Sequence, residues 1–296
     1  MKKIIFQGAA TALVTPMQED GSIHFTELGR MIEAQIAGGI DAILICGTTG
    51  ESATLTDEEK LACIEYTVQA VNRRVPVIAG TGSNDTQHSI TLSRRAAALG
   101  VDALLLVTPY YNKTSQEGLQ AHFGAIADAV ECPIILYNVP SRTGVNLLPE
   151  TVYALSKHPN IVAIKEASGN IAQCTKIASL CGEEITLYSG NDDQVLPLLA
   201  LGGKGVISVV SNVAPRQMHD LCQTWFDGDR ENACKRQLEL LPLCSALFSD
   251  VNPIPVKYAM SLMHWEVGRC RLPLIEPSPE KKALIRTTMQ NSHLME

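Results

Sequence analysis

Short apolar runs alternate with longer stretches of helical period along most of the chain. The runs lie near 8–14, 40–46, 75–80, 102–107, 133–138, 161–165, 185–189 and 205–210 and carry few polar interruptions. Runs of this kind, bounded by turn residues, predict strands buried on both faces of a parallel sheet. Between them, the segments 26–38, 56–72, 85–99, 115–130, 149–156, 170–181, 192–201 and 215–226 predict helices. Their starts carry capping residues, Thr56 before Asp57-Glu-Glu59 and Asn84 or Asp85 before the next helix. Their exits carry Gly38-Gly39, Gly100 and Gly202-Gly203.

Three of the strand segments follow one template of glycine, short turn and apolar run: 39–47, 100–108 and 203–210. That repetition predicts βα units. Eight such units in about 225 residues predict an α/β fold closed into a (β/α)8 TIM barrel rather than an open sheet. No G-x-G-x-x-G follows the first run, which disfavours an open dinucleotide-binding sheet. From Asp229 onward the strands stop, and 229–248, 253–264 and 278–292 predict three helices. The expected division is a barrel over 1–228 carrying the active site and a C-terminal helical appendage over 229–296. In the first appended helix, Leu240, Leu243 and Leu247 form one stripe, and Cys234, Leu238, Leu241 and Phe248 another. A helix apolar on two sides is expected to lie between the barrel and a second surface.

Composition narrows the class. The 296 residues are 46% apolar and 19% charged with a net charge of −7, which excludes disorder and disfavours membrane-spanning or nucleic-acid-binding roles. Nine cysteines are scattered with no C-x-x-C pair, as expected of a reducing cytoplasm without a disulfide frame or zinc site. The opening Met1-Lys-Lys-Ile-Ile-Phe6 resembles the start of an export signal, but its apolar stretch breaks at Gln7-Gly8, and a first strand is the expected reading. Seven histidines are dispersed, and no metal motif is visible.

In such a barrel, functional groups gather at the C-terminal ends of the strands. Two of those ends are chemically unusual: 133–138 closes with Tyr137-Asn138, and 161–165 closes with Lys165. Strict alternation puts Ile161, Ala163 and Lys165 on one face and Glu166 on the other. A lysine there either snorkels to water or is a desolvated amine nucleophile for a carbonyl. Gly47-Thr-Thr-Gly-Glu51 reads as a turn, or as a loop whose N–H groups and hydroxyls hold a carboxylate. Arg142 reads as a surface ion-pair residue or as a fork for a substrate carboxylate. Tyr110 and Tyr111 could pack on a neighbouring subunit.

Gly47-Thr-Thr-Gly-Glu51, Tyr137-Asn-Val-Pro-Ser-Arg-Thr-Gly144 and Ile164-Lys-Glu166 together resemble the dihydrodipicolinate synthase and N-acetylneuraminate lyase superfamily of Schiff-base aldolases. Thr48-Thr49, Arg142, Tyr110-Tyr111 and Asn252-Pro-Ile-Pro-Val-Lys257 resemble its dihydrodipicolinate synthase branch, over Gly8 to about Met263. The resemblance implies condensation of pyruvate with L-aspartate 4-semialdehyde, leading to diaminopimelate and lysine, without a cofactor or metal. It implies that Lys165 forms the imine. Tyr137, Thr48 and Tyr111 would relay protons, the last reaching in from a neighbouring subunit of a tetramer. Thr48 and Thr49 would hold the pyruvate carboxylate and Arg142 that of the semialdehyde, with Gly190 and Ile207 completing the substrate pocket.

The resemblance also locates a departure. Lysine-inhibited relatives bind lysine beside the tyrosine pair, and Ser52, Ala53, Asn84 and Tyr110 match that set. Asp57 and Lys60 stand where those relatives have histidines, and His88 where they have a glutamate. Weak or absent inhibition by L-lysine is therefore expected. The rival readings are a sugar-acid lyase of the same superfamily, a barrel serving only as a binding protein, and a metal-dependent aldolase.

Overall fold

The computed structural model describes residues 2–295. Eight parallel strands close into one barrel in chain order: β1 (Gly8–Ala12), β2 (Ala42–Ile45), β3 (Val77–Gly80), β4 (Ala103–Val107), β5 (Ile134–Asn138), β6 (Ile161–Glu166), β7 (Thr186–Ser189) and β8 (Gly205–Ser208). The helices α1 (Phe25–Ala37), α2 (Asp57–Val71), α3 (Thr86–Ala98) and α4 (Gln116–Asp128) follow the first four strands. Two helices, α5 (Pro140–Thr143) and α6 (Pro149–Leu155), follow β5. Then come α7 (Ile171–Cys181), α8 (Val195–Ala200) and α9 (Pro215–Phe226), and three C-terminal helices α10 (Arg230–Leu247), α11 (Ile254–Leu262) and α12 (Pro279–Asn291).

The alternation of side chains on each strand makes two apolar layers. Inside the barrel, small residues such as Ala10, Ala42 and Ala103 interleave with Leu44, Ile78, Leu105 and Ile207. Outside, Ile43, Leu104, Leu136 and Ile164 pack against the helices. Phe6 stacks on Tyr188 with centroids 4.3 Å apart and fills the end of the barrel before β1. The Tyr188 hydroxyl donates to the Phe6 carbonyl at 2.7 Å, so burying the phenol leaves no unpaired donor. Closure occurs where Gly8 pairs with Gly205. A Cβ on Gly205 would lie 1.8 Å from the Gly8 carbonyl oxygen, so only glycine lets β1 and β8 meet there.

The helix starts form as their sequences predict. Thr56 and Glu59 make a reciprocal capping box at α2, and the Asp85 side chain accepts from His88 N at α3. A cap of this kind contributes about 1 kcal/mol.

One strand departs from simple alternation. Ile134 pairs with Ile161, but the next residue, Ile135, pairs with Ala163, so Val162 is an extra residue in β6. Ile161 consequently joins the outer layer, while Val162 and Ala163 both face inward. The expectation that Ile161 shares the face of Lys165 is thus corrected. Ala163 does share it. The turn α5 also stands where no helix was expected. Pro140 pre-sets its first residue and Gly144, at φ +69°, ends it.

In the C-terminal part, α10 packs against α9 and α12, and α11 against α12. Leu240, Leu243 and Leu247 of α10 are buried, whereas Leu238, Leu241 and Phe248 on its other side are exposed. Among the described residues no helix is long and apolar enough to cross a membrane.

Candidate active site

The two unusual strand ends are neighbours. Tyr137 of β5 and Lys165 of β6 are register partners, so both side chains point into the barrel at the same level. The Lys165 Nζ lies 4.5 Å from the centre of the Tyr137 ring. Both residues are buried, at 6% and 5% exposure. Burial lowers Lys165 to about 8, with the Asp192 carboxylate opposing the shift and the Arg142 guanidinium adding to it. Burial also raises the Tyr137 phenol, against the pull of Arg142 and the Thr48 hydroxyl. The pair therefore consists of an amine that is neutral in about one molecule in ten at pH 7 and a phenol that stays protonated.

The strands are held in this register from behind. Glu166, on the opposite face from Lys165, accepts from Asn138 Nδ2 at 3.0 Å, Gln173 Nε2 at 3.1 Å and Ser168 N at 2.7 Å. Asn138 in turn accepts from Leu147 N at 2.9 Å. The buried carboxylate has its partners, and the network ties β5 to β6 where they carry the tyrosine and the lysine.

Beside this pair lies a cavity of about 540 Å³ whose lining includes Thr48, Ser52, Tyr110, Val139, Arg142 and Asn252. Thr48 and Arg142 thus face both the cavity and Tyr137. Thr49 is buried, and its hydroxyl accepts from Asn252 Nδ2 at 2.9 Å. Arg142 is exposed at the mouth, with Nη2 donating to the Asn252 carbonyl at 3.3 Å. Gly190 abuts the lysine, and a Cβ there would meet Lys165 Cε at 3.0 Å and Ala167 Cβ at 2.6 Å. Ile207 is fully buried in the same inner layer as Tyr137.

Lys165, Tyr137, Thr48, Thr49, Arg142, Gly190 and Ile207 therefore gather at one end of the barrel. Tyr111 does not join them within the chain. It is 93% exposed and sits at φ +69°, a conformation uncommon for a large side chain. Asn252 and Lys257, which the family resemblance includes without a role, also contribute. The Lys257 ammonium pairs with Glu51 Oε1 at 2.8 Å and donates to the carbonyls of Thr15 and Arg269. Glu51 Oε2 accepts from Arg271 N at 2.8 Å. Apart from the Arg269 contact, these join segments more than 200 residues apart, and no local pattern announces them. Among the described residues, no group of three His, Cys, Asp or Glu side chains is placed to hold a metal ion.

A parallel barrel with a desolvated lysine and a protonated phenol side by side defines a class, the Schiff-base aldolase-type lyases. The chain belongs to the dihydrodipicolinate synthetase family, whose model matches residues 5–292. It is 54% identical over 295 residues to the 4-hydroxy-tetrahydrodipicolinate synthase of Acetivibrio thermocellus, covering 100% of both chains. Among solved structures, dihydrodipicolinate synthase from Thermotoga maritima is 41% identical with a TM-score of 0.96, covering 99% of this chain and 100% of that one. The enzyme of Acinetobacter baumannii, solved with pyruvate, is 40% identical with a TM-score of 0.96 over the same shares.

Proposed function

We propose that this enzyme condenses pyruvate with L-aspartate 4-semialdehyde to give 4-hydroxy-tetrahydrodipicolinate, the first committed step toward diaminopimelate and lysine. The observation that carries the reading is the buried Lys165 ammonium, lowered to about 8 and 4.5 Å from the Tyr137 ring. Its neutral form attacks the keto carbon of pyruvate, water leaves, and an iminium results. Loss of a methyl proton moves an electron pair toward the iminium nitrogen and gives an enamine. The enamine carbon attacks the aldehyde, and ring closure by the substrate's own amine releases Lys165. The iminium is the electron sink, so the chemistry needs no cofactor.

The remaining roles follow from position and family. Thr48 and Thr49 hold the pyruvate carboxylate in the loop after β2, with Gly190 leaving room beside the lysine and Ile207 as apolar wall. Tyr137 passes protons through Thr48 and through Tyr111 of a second subunit. A phenol whose own pKa is raised is a poor base, and a relay of hydroxyls suits it better. Arg142, at the cavity mouth, takes the carboxylate of the semialdehyde.

A homotetramer built as a dimer of dimers accommodates the outward Tyr111 and the exposed apolar stripe Leu238, Leu241 and Phe248. The division at 228 and 229 separates the barrel from helices that serve it. Nine free thiols suit the reducing cytoplasm.

Borohydride added with pyruvate is expected to leave one reduced pyruvyl group per chain, mapped by peptide mass to Lys165. Lys165→Arg, which keeps charge but offers no neutral amine, is expected to lose at least ~100-fold in turnover. A label on another lysine, or none, overturns the assignment.

A further inference from the structure

We propose that Asp192 is a positioning residue for this reaction: its buried carboxylate is the fixed counter-charge that keeps the Lys165 nitrogen cationic once the imine has formed. The inference rests on Lys165 being the nucleophile. Asp192 lies two residues beyond Gly190, the glycine that abuts Lys165, and is only 2% exposed. Its Oδ2 accepts from Val209 N at 3.0 Å and Val210 N at 3.1 Å, just beyond β8. Its main-chain carbonyl accepts from Gln237 of α10 at 2.9 Å. The side chain is thus fixed. Its Oδ1, however, is sealed from water and has no hydrogen-bond partner among the described residues. A buried carboxylate oxygen left without a donor is costly and calls for a compensating charge.

The groups that face it identify that charge. Lys165 comes from β6 and the Ser208 hydroxyl from β8. The thiols of Cys222 on α9 and Cys244 on α10 also face it, and burial raises both so that they stay neutral. Burial pushes the Asp192 carboxyl up, opposed by Ser208, the two backbone N–H groups and Lys165. Lys165 itself faces Asp192, Arg142 and the Tyr137 ring. Asp192 therefore acts against the two influences that favour a neutral lysine nitrogen, burial and Arg142.

The consequence differs between steps. Attack on pyruvate needs the neutral amine, whereas forming the enamine needs the protonated imine to receive the C–H electron pair. A fixed carboxylate favours the second at some expense to the first.

Asp192→Asn keeps the shape and an acceptor for both N–H groups but removes the charge. Its acid limb in kcat/KM for pyruvate is expected to move down by roughly one pH unit. Exchange of the pyruvate methyl hydrogens for deuterium, which needs imine and enamine but no aldehyde, is expected to slow at least ~10-fold. An unshifted acid limb, with borohydride label still on Lys165, overturns the counter-charge. A label absent from Lys165 instead overturns the underlying assignment of the nucleophile. Should Asp192→Asn not fold, the infrared spectrum of the unmodified enzyme at pH 8 decides. A carboxylic-acid stretch there means a protonated Asp192 and overturns the proposal, and its absence supports an ionised carboxylate.

Discussion

Lys257 and Glu51 form a 2.8 Å ion pair with both side chains almost completely shielded from water. The pair joins α11 to the residue that follows Thr48, Thr49 and Gly50, and so couples the C-terminal helices to the loop proposed to hold pyruvate. Glu51 is itself at φ +58°, a backbone conformation that this tether helps to hold. Removing one partner leaves a buried charge alone. Lys257→Met is expected to cost about 3–5 kcal/mol of stability and to raise KM for pyruvate. The double variant Glu51→Gln with Lys257→Met should recover much of the loss, since neither charge then remains. Chemical denaturation of the two singles and the double tests this, and additive losses would refute the coupling.

The depressed titration of Lys165 has a cost in stability. The folded lysine titrates at about 8 against 10.5 for the free side chain. Between those values the unfolded chain binds more protons, so stability rises with pH from about 8 to 10.5 and the penalty is fully present below 8. The penalty is on the order of 3 kcal/mol. Lys165→Met is therefore expected to be inactive yet more stable than the parent at pH 7, with the advantage fading toward pH 10.5. Denaturation midpoints at the two pH values provide the check.

Arg142 stands at the mouth of the cavity, where its guanidinium is partly hydrated. Arg142→Ala is expected to lower kcat/KM for the semialdehyde at least ~10-fold while pyruvate is still trapped on Lys165 by borohydride. Steady-state kinetics with each substrate varied in turn separates the two effects. Equal losses toward both substrates would assign Arg142 to the pyruvate site instead.

Tyr111 points away from its own barrel, so a role in proton relay requires a second chain. Mixing chains that carry Tyr111→Phe with chains that carry Lys165→Arg should restore part of the activity in heterodimers, because one of the two sites then has both groups. Inactive heterodimers of verified composition would mean that no site borrows a tyrosine.

The cluster beside the cavity bears on feedback by L-lysine. Burial pushes the Asp57 carboxyl up, but His88 and Lys60 overcome it and hold Asp57 below its ordinary value. The His88 Nε2 lies 2.8 Å from Asp57 Oδ2 and the Lys60 ammonium 3.6 Å from Oδ1. The carboxylate that could have received a ligand ammonium is already engaged, and Lys60 presents a like charge. Half-inhibition by L-lysine is expected only above the millimolar range, measured on the condensation rate at subsaturating pyruvate.

The barrel was legible because strands buried on both faces leave continuous apolar runs, and because Thr56, Asp85 and the glycine exits mark the helices between them. Tyr137 and Lys165 stood out for a similar reason: polar groups that close apolar strands are conspicuous. Other features had no local signature. Val162 looks like any β-branched strand residue, and only pairing with a neighbouring strand reveals it as surplus. The contacts of Asn252 with Thr49 and of Lys257 with Glu51 join segments that only the closed barrel brings together. Asp192 sits among ordinary helix-start residues, and its isolation from water is a property of α9 and α10 packing over it.

The surplus residue in β6 acts as a spacer of fixed length. In a sheet with free edges, a strand one residue too long could slide and shed the excess at its end. A closed barrel denies that escape, since β5 and β7 grip β6 from both sides. Deleting Val162 would leave Ile161 opposite Ile134 and Ala163 opposite Ile135 with nothing between them, so the lysine would stay inward and only the local kink and one inward side chain would be lost. Ile161 and Lys165, four positions apart, would share a face under strict alternation; the residue that pairs with nothing turns Ile161 to the helices while the amine faces the interior, which makes chain length, as much as side-chain identity, a determinant of which residues meet the helices.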